Sequence, residues 1–167
     1  MPITVVTIGV YGFDETGFIR VLRRAGVDTF CDIRFRRAMR GAGHSFANHR
    51  RLESSLEAAG IRYLTFPELA PSAELRRWQE TADRAQRLLK RERVQLDTGF
   101  VQGYEQECLS GFDSAAFVAR LGSSAGVVAL GCVEGPPAAC HRSLLAARLE
   151  RDLGARILHL LPPLPDA

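Results

Sequence analysis

Residues 126–132, Gly-Val-Val-Ala-Leu-Gly-Cys, are the most apolar strand-like run of the chain, and Gly135-Pro136-Pro137 closes them off. The run is too short for a buried helix and shows no polar–apolar alternation. A strand without a polar side needs cover on both faces, which helices supply in a parallel sheet. The rest of the chain agrees. Residues 3–8 are apolar and β-branched and stop at Gly9 and Gly12. Asp14 then reads as a helix N-cap, Phe18, Val21, Leu22 and Ala25 follow at helical spacing, and Gly26 ends the helix. Residues 29–33 form a second strand, and residues 48–59 a helix with Leu52, Leu56 and Ala59 on one face. Residues 61–66 are a third strand, and residues 72–91 a long charged helix. Helical segments are expected at 96–110, from Asp113 or Ser114 to Leu121, and at 141–153, where Leu145, Leu149 and Leu153 form a stripe. Residues 156–161 give a last strand, and a Pro-rich tail runs from about residue 162. Strands alternating with helices predict an α/β fold, a mostly parallel central sheet of about five strands flanked by helices. The 167 residues fit one domain spanning 1–167.

Composition narrows the function classes. Hydrophobic residues at 46% and charged residues at 25% match an ordinary globular domain. No apolar run approaches the ~18–20 residues needed to cross a bilayer, so no membrane partner is expected. The first residues lack a basic stretch and a long apolar core, and they read as a strand rather than a secretory signal. Cys31, Cys108, Cys132 and Cys140 form no CxxC pair, so reduced thiols of a cytoplasmic protein are expected. The net charge of +3 is too small to imply a partner; where the arginines cluster is more informative.

Three segments could carry chemistry, and an α/β sheet would bring three polar clusters at strand ends, Gly9 to Gly12, Asp32 to Arg34 and Cys132 to Arg142, to one rim. The first is Cys132-Val-Glu134-Gly-Pro-Pro-Ala-Ala-Cys140-His141-Arg142, a strand end, a forced turn and a helix start. Unpaired N–H groups at a helix start favour a thiolate at Cys140 or a bound phosphate near His141. The Arg142 fork suits the same anion, and Glu134 could serve as acid or base or hold Arg142. The bland alternative is that these cysteines are small buried hydrophobes. Cys132, Cys140 and His141 could also converge on a metal. A Cys-x7-Cys-His spacing matches none of the usual structural zinc patterns, so no metal and no cofactor is assigned. Ala138 stands where a Cys-x5-Arg phosphate loop from Cys132 would need Arg. Gly9-Val-Tyr-Gly12 is too short for a dinucleotide or P-loop fingerprint.

The second segment is Asp32-Ile33-Arg34. Residues two apart on a strand point the same way, so this acid and base could form an ion pair that orients a site, or simply solvate a strand end. The third is the stretch from Ile33 to Leu52, with Arg34, Arg36, Arg37, Arg40, Arg50, Arg51, His44 and His49 and no acid. Its Gly41-Ala42-Gly43 implies an extended, mobile segment. It suits a polyanion, with Phe35 and Phe46 available to stack on bases; otherwise it is a solvated loop. A further basic group at Arg84, Arg87, Lys90, Arg91 and Arg93, mixed with Glu80, Asp83 and Glu92, reads as mostly an exposed helix face.

Together these residues resemble the DUF488 family, bacterial and archaeal domains without an established general activity. The resemblance starts at Thr7-Ile8-Gly9 and Phe18 and continues through Asp32-Ile33-Arg34, Phe46, Leu52, Leu56, Gly60-Ile61-Arg62-Tyr63 and Glu68-Leu69. Its most specific part is Cys132-x-Glu134-x-x-Pro137-x-x-Cys140-His141-Arg142-Ser143, followed by Ala146 and His159. Where members often carry Pro and then Ser-Arg, this chain has Phe35-Arg36-Arg37, and Glu68-Leu69-Ala70 replaces Glu-Leu-Gly. The resemblance implies fold and site location more than reaction.

Two functions follow as expectations. In one, the chain is an enzyme acting on a phosphate-bearing ligand, a nucleotide or nucleic acid. Asp32 and Glu134 do acid–base work, Cys140 is nucleophile or anion contact, and Arg34, Arg36, Arg37, His141 and Arg142 bind the anion. In the other, it is a non-catalytic nucleic-acid-binding module using the Arg-rich loop 34–51.

Overall fold

A computed structural model describes residues 2–39 and 41–164. Arg40 of the basic loop and the last three residues of the Pro-rich tail lie outside the described residues.

The five expected strands are β1 (Thr4–Gly9), β2 (Thr29–Asp32), β3 (Arg62–Thr65), β4 (Val127–Cys132) and β5 (Arg156–Leu160). They form one sheet in the order β3-β2-β4-β1-β5, and every pairing is parallel. The apolar run that requires cover on both faces is the central strand, and Val128, Ala129 and Leu130 are fully buried. Alternation along the strands divides the interior into two cores. Val6, Ile8, Phe30 and Ala129 face α1 (Glu15–Arg24) and α2 (His49–Ala58), which contribute Phe18, Leu22, Leu52 and Leu56. Val5, Cys31, Val128 and Leu130 face the other side, packed by Phe100 and Tyr104 of α4 (Thr98–Tyr104), Phe117 and Leu121 of α5 (Ser114–Leu121), and Leu145 and Leu149 of α6 (Arg142–Leu153). α1 is capped as the sequence predicts, with the Asp14 carboxylate accepting from Gly17 N at 2.7 Å. No helix among the described residues is long and apolar enough to cross a membrane.

Strand order fixes where the site can be. The chain moves from β1 through β2 to β3 toward one edge, returns to insert β4, and ends at the other edge with β5. The strand ends flanking β4 therefore belong to oppositely directed crossovers, the place where a crevice opens in such sheets. Gly9 pairs with Cys132 and Asp32 with Gly131, so the strand ends of the Gly9, Asp32 and Cys132 clusters share one rim.

One helix is shorter than expected. α3 (Ala73–Ala85) ends six residues before the predicted Arg91. Arg87 takes a left-handed φ of 56°, and Leu88 N donates back to Asp83 O at 2.9 Å. The chain then turns inward, and Arg93 is buried rather than lying on an exposed helix face. The segment at 96–110 is helical as expected, but its second half, Glu105–Leu109, widens to π geometry.

Candidate functional site

The loop leaving β4 is pinned from two sides. Tyr11 N donates to Val133 O at 3.0 Å, and Leu96 N donates to Ala138 O at 2.9 Å. Gly9 is required here: a Cβ on it would lie 1.7 Å from Glu134 O, so only glycine lets the loop cross the end of β1. A short 3-10 turn, Pro137–Ala139, brings the chain back to the sheet. Cys140 is extended (φ −139°, ψ 144°) and His141 is already helical (φ −62°, ψ −18°). This switch of backbone conformation between neighbours sends both side chains toward Cys132. His141 Nδ1 lies 3.8 Å from Cys132 Sγ and 3.9 Å from Cys140 Sγ, and all three groups are buried. His141 Nε2 lies 3.2 Å from Ile33 O. A carbonyl only accepts, so Nε2 carries the hydrogen and Nδ1 faces the sulfurs.

Glu134 borders this trio. Its Oε2 is 3.7 Å from Cys132 Sγ, while its Oε1 receives Arg93 Nη2 at 2.8 Å and sits 3.5 Å from Lys90 Nζ. Arg93 also donates to Asp83 Oδ2 at 2.7 Å and to Ala139 O at 3.2 Å. Gln79 completes the network by donating to Asp83 Oδ1 at 2.9 Å. Gln79, Asp83, Arg93 and Glu134 are all buried. Arg93, Asp83 and Gln79 were absent from the sequence-derived site. The available signal was positional: Gln79 and Asp83 are four apart and continue the inward stripe of α3 begun by Leu75.

The expected acid–base pair of β2 is closed on itself. Arg34 donates Nε to Asp32 Oδ1 at 2.9 Å and Nη2 to Oδ2 at 2.8 Å, and its Nη1 donates to Ala47 O at 2.9 Å. Tyr63 adds a hydrogen bond to Oδ2 at 2.6 Å. Asp32 is wholly buried and Arg34 nearly so, so this pair anchors the rim and the first turn of the basic loop. Arg142 is also fully buried; its two terminal nitrogens donate to Glu134 O at 2.5 Å and Gly135 O at 2.7 Å. Its fork therefore holds the loop that carries Glu134, and of its three guanidinium nitrogens Nε alone has no partner among the described residues.

The electrostatics follow from this crowding. The neighbouring Cys140 and burial push the Cys132 thiol well above its ordinary value. Burial opposes ionisation of Cys140, but the hydrogen bond from Cys132 and the His141 charge bring it well below the ordinary thiol value. Burial opposes a charge on His141 too, yet the Cys140 thiolate raises it. Burial and Cys140 push the Glu134 carboxyl up against the pull of Lys90 and Arg93. The trio can thus hold a thiolate–imidazolium pair or present two sulfurs and a ring nitrogen to a metal.

The basic loop lies on the same rim. Ser45–Ala47 forms a 3-10 turn whose Phe46 and Ala47 are buried, so this part is packed rather than extended. Phe46 packs on Phe18 at a ring separation of 5.6 Å, which occupies it inside the core. His44 meets the Tyr11 ring edge-on at 5.2 Å, which carries the loop across the end of β1. Arg36 and Arg50 are exposed and Arg37 is half-buried, and none of these three forms an ion pair among the described residues, whereas Arg51 is tied to Glu15 at 2.6 Å.

No curated protein and no solved structure matches the chain. The sequence profile of the domain of unknown function DUF488 matches residues 16–149, from the first turn of α1 to the last part of α6 and including β2, β4 and every residue of the Cys-x-Glu…Cys-His-Arg segment, so the chain belongs to the DUF488 family.

Proposed function

We propose that this DUF488 domain is an enzyme acting on a phosphate-bearing ligand, a nucleotide or nucleic acid. Its chemistry is centred on Cys132, Glu134, Cys140 and His141. The observation that carries the reading is the burial of that many ionisable groups at the rim beside β4, with one Glu134 oxygen turned into the cluster. Burying such groups opposes folding, and concentrations of perturbed groups mark reactive sites. Glu134 is the proton-handling group and Cys140 carries the negative charge of the centre. Asp32, Arg34 and Arg142 are positioning residues, because their charged atoms are committed to one another or to backbone. Arg36, Arg37 and Arg50 gather the ligand, and Lys90, with 55% of its side chain exposed, stands where the ligand meets Glu134.

One observation favours the alternative of a binding module without catalysis. Cys140 is only 1% exposed, out of direct reach of a polymer. The two readings part in one experiment. Fluorescence anisotropy with a labelled single-stranded oligonucleotide is measured across a salt series, and nucleotides and oligonucleotides are followed for conversion. The enzyme reading expects salt-steep binding that falls at least tenfold in an Arg36→Ala/Arg37→Ala double variant. It also expects conversion that disappears in Glu134→Gln while binding stays. Binding without conversion of any phosphate compound supports the module, and absence of both binding at low salt and conversion removes both readings.

A further inference from the structure

We infer that Cys132, Cys140 and His141 form a binding site for a thiophilic divalent metal ion, zinc by first preference. The site has three protein ligands, with the Glu134 carboxylate beside it. The inference rests on the reading of this cluster as the chemical centre, and it adds the cofactor of that centre.

Distances carry it first. Zinc bonds of about 2.3 Å to sulfur and about 2.0 Å to nitrogen place tetrahedral ligand atoms roughly 3.5–3.8 Å apart. His141 Nδ1 stands 3.8 Å from one sulfur and 3.9 Å from the other, and all three donor atoms fall within 4.8 Å of one another. A contraction of a few tenths of an ångström brings the nitrogen to ligand spacing from both sulfurs, and the two sulfurs close by at most about 1 Å. The second, independent observation is the outer side of the ring. His141 Nε2 donates to Ile33 O at 3.2 Å, which fixes the tautomer whose Nδ1 lone pair points at the sulfurs. Metal-binding histidines are held this way, with the far N–H on a carbonyl or carboxylate.

The fold explains how the ligands come together despite the unusual spacing. Cys132 ends a central strand, and the Gly-Pro-Pro turn with its 3-10 segment returns the chain beside it. The extended-to-helical change then lets the sequence neighbours Cys140 and His141 share one side. Two sulfurs with one imidazole select zinc among common divalent ions. Three protein ligands rather than four leave a position for water, the pattern of reactive rather than structural sites. Glu134 Oε2, 3.7 Å from Cys132 Sγ, would be the nearby carboxylate acceptor for such a water, while Arg93 and Lys90 hold Oε1.

The test uses the full chain, purified without a histidine tag, with Zn²⁺ and Co²⁺ as probes. Elemental analysis is expected to find about one zinc per chain, and Co²⁺ exchange to give thiolate-to-cobalt charge-transfer absorption with intense tetrahedral bands. Cys132→Ser and Cys140→Ser each lower Zn²⁺ affinity at least tenfold against a chromophoric chelator. Cys31→Ser and Cys108→Ser leave it unchanged. If the ligand variants do not fold, the wild-type cobalt spectrum still decides, because sulfur ligation is read from it directly. No cobalt uptake, or a weak spectrum without thiolate bands, overturns the metal site. Thiolate bands together with neither oligonucleotide binding nor conversion of a nucleotide or oligonucleotide overturn the proposed function and leave the metal site standing.

Discussion

Asp32 and Glu134 are both buried carboxylates at the sheet rim, each beside an arginine, yet their oxygens are used differently. Asp32 has neither oxygen free: Arg34 takes both, and Tyr63 adds a further hydrogen bond to Oδ2. Glu134 gives one oxygen to Arg93 and Lys90 and turns the other toward Cys132. The first arrangement is complete without a ligand, so it is an anchor. The second leaves a carboxylate oxygen facing two sulfurs and an imidazole, which is useful only if something reacts or binds there. Burial alone does not separate a structural acid from a chemical one; what separates them is whether every lone pair is already answered.

The largest effect expected from breaking this contrast is on stability. Asp32→Ala leaves Arg34 as a buried, unpaired cation and removes the acceptor of Tyr63, so it should cost about 3–5 kcal/mol in urea unfolding. Glu134→Gln is expected to cost no more than about 2 kcal/mol. The amide oxygen still accepts from Arg93, Arg93 keeps Asp83, and a neutral group removes the burial penalty that raises the Glu134 carboxyl. Circular dichroism should find that Glu134→Gln has the wild-type fold. Equal losses for the two variants would mean that Glu134 is an anchor too, and the distinction would fail.

The difference between the two acids was only partly legible in the sequence. Asp32 and Arg34 stood out because charges at the end of a buried strand are unusual, and their shared side follows from strand alternation. That they satisfy each other depends on Tyr63 and Ala47, which reach them from β3 and from the loop before α2, and strand order cannot be read from local pattern. The Cys132-to-Arg142 segment was legible as strand, turn and helix. The destination of Arg142 was not, because its acceptors are carbonyls of its own returning loop. Arg93 was the hardest. A charge-rich helix followed by Lys90-Arg91-Glu92-Arg93 reads as solvated, and only the break at Arg87 sends Arg93 inward. The resemblance to DUF488 rested on the Cys-x-Glu…Cys-His-Arg segment together with the ordered motifs before it, and the family match over residues 16–149 bears it out.

The smallest expected effect comes from a second carboxylate–thiol pair that repeats the Glu134–Cys132 contact at the surface. Cys108 Sγ lies 3.8 Å from Glu107 Oε2, against 3.7 Å for Cys132 and Glu134. Cys108 is the one cysteine of the chain that is not buried. Exposure alone would make it the fastest thiol to alkylate. Burial of its inner half and the Glu107 charge instead push it up to about 11. At pH 7 only about one molecule in ten thousand carries the thiolate, so Cys108 should react with iodoacetamide roughly 100-fold more slowly than an unperturbed cysteine. The rate should climb about tenfold per pH unit until the pH approaches that value. Glu107→Gln should speed it only a few-fold, because burial is the larger cause and remains. Mass spectrometry of alkylated peptides over a pH series reads all three quantities. A fast, pH-independent Cys108 would show that neither partial burial nor the Glu107 carboxylate restrains this thiol.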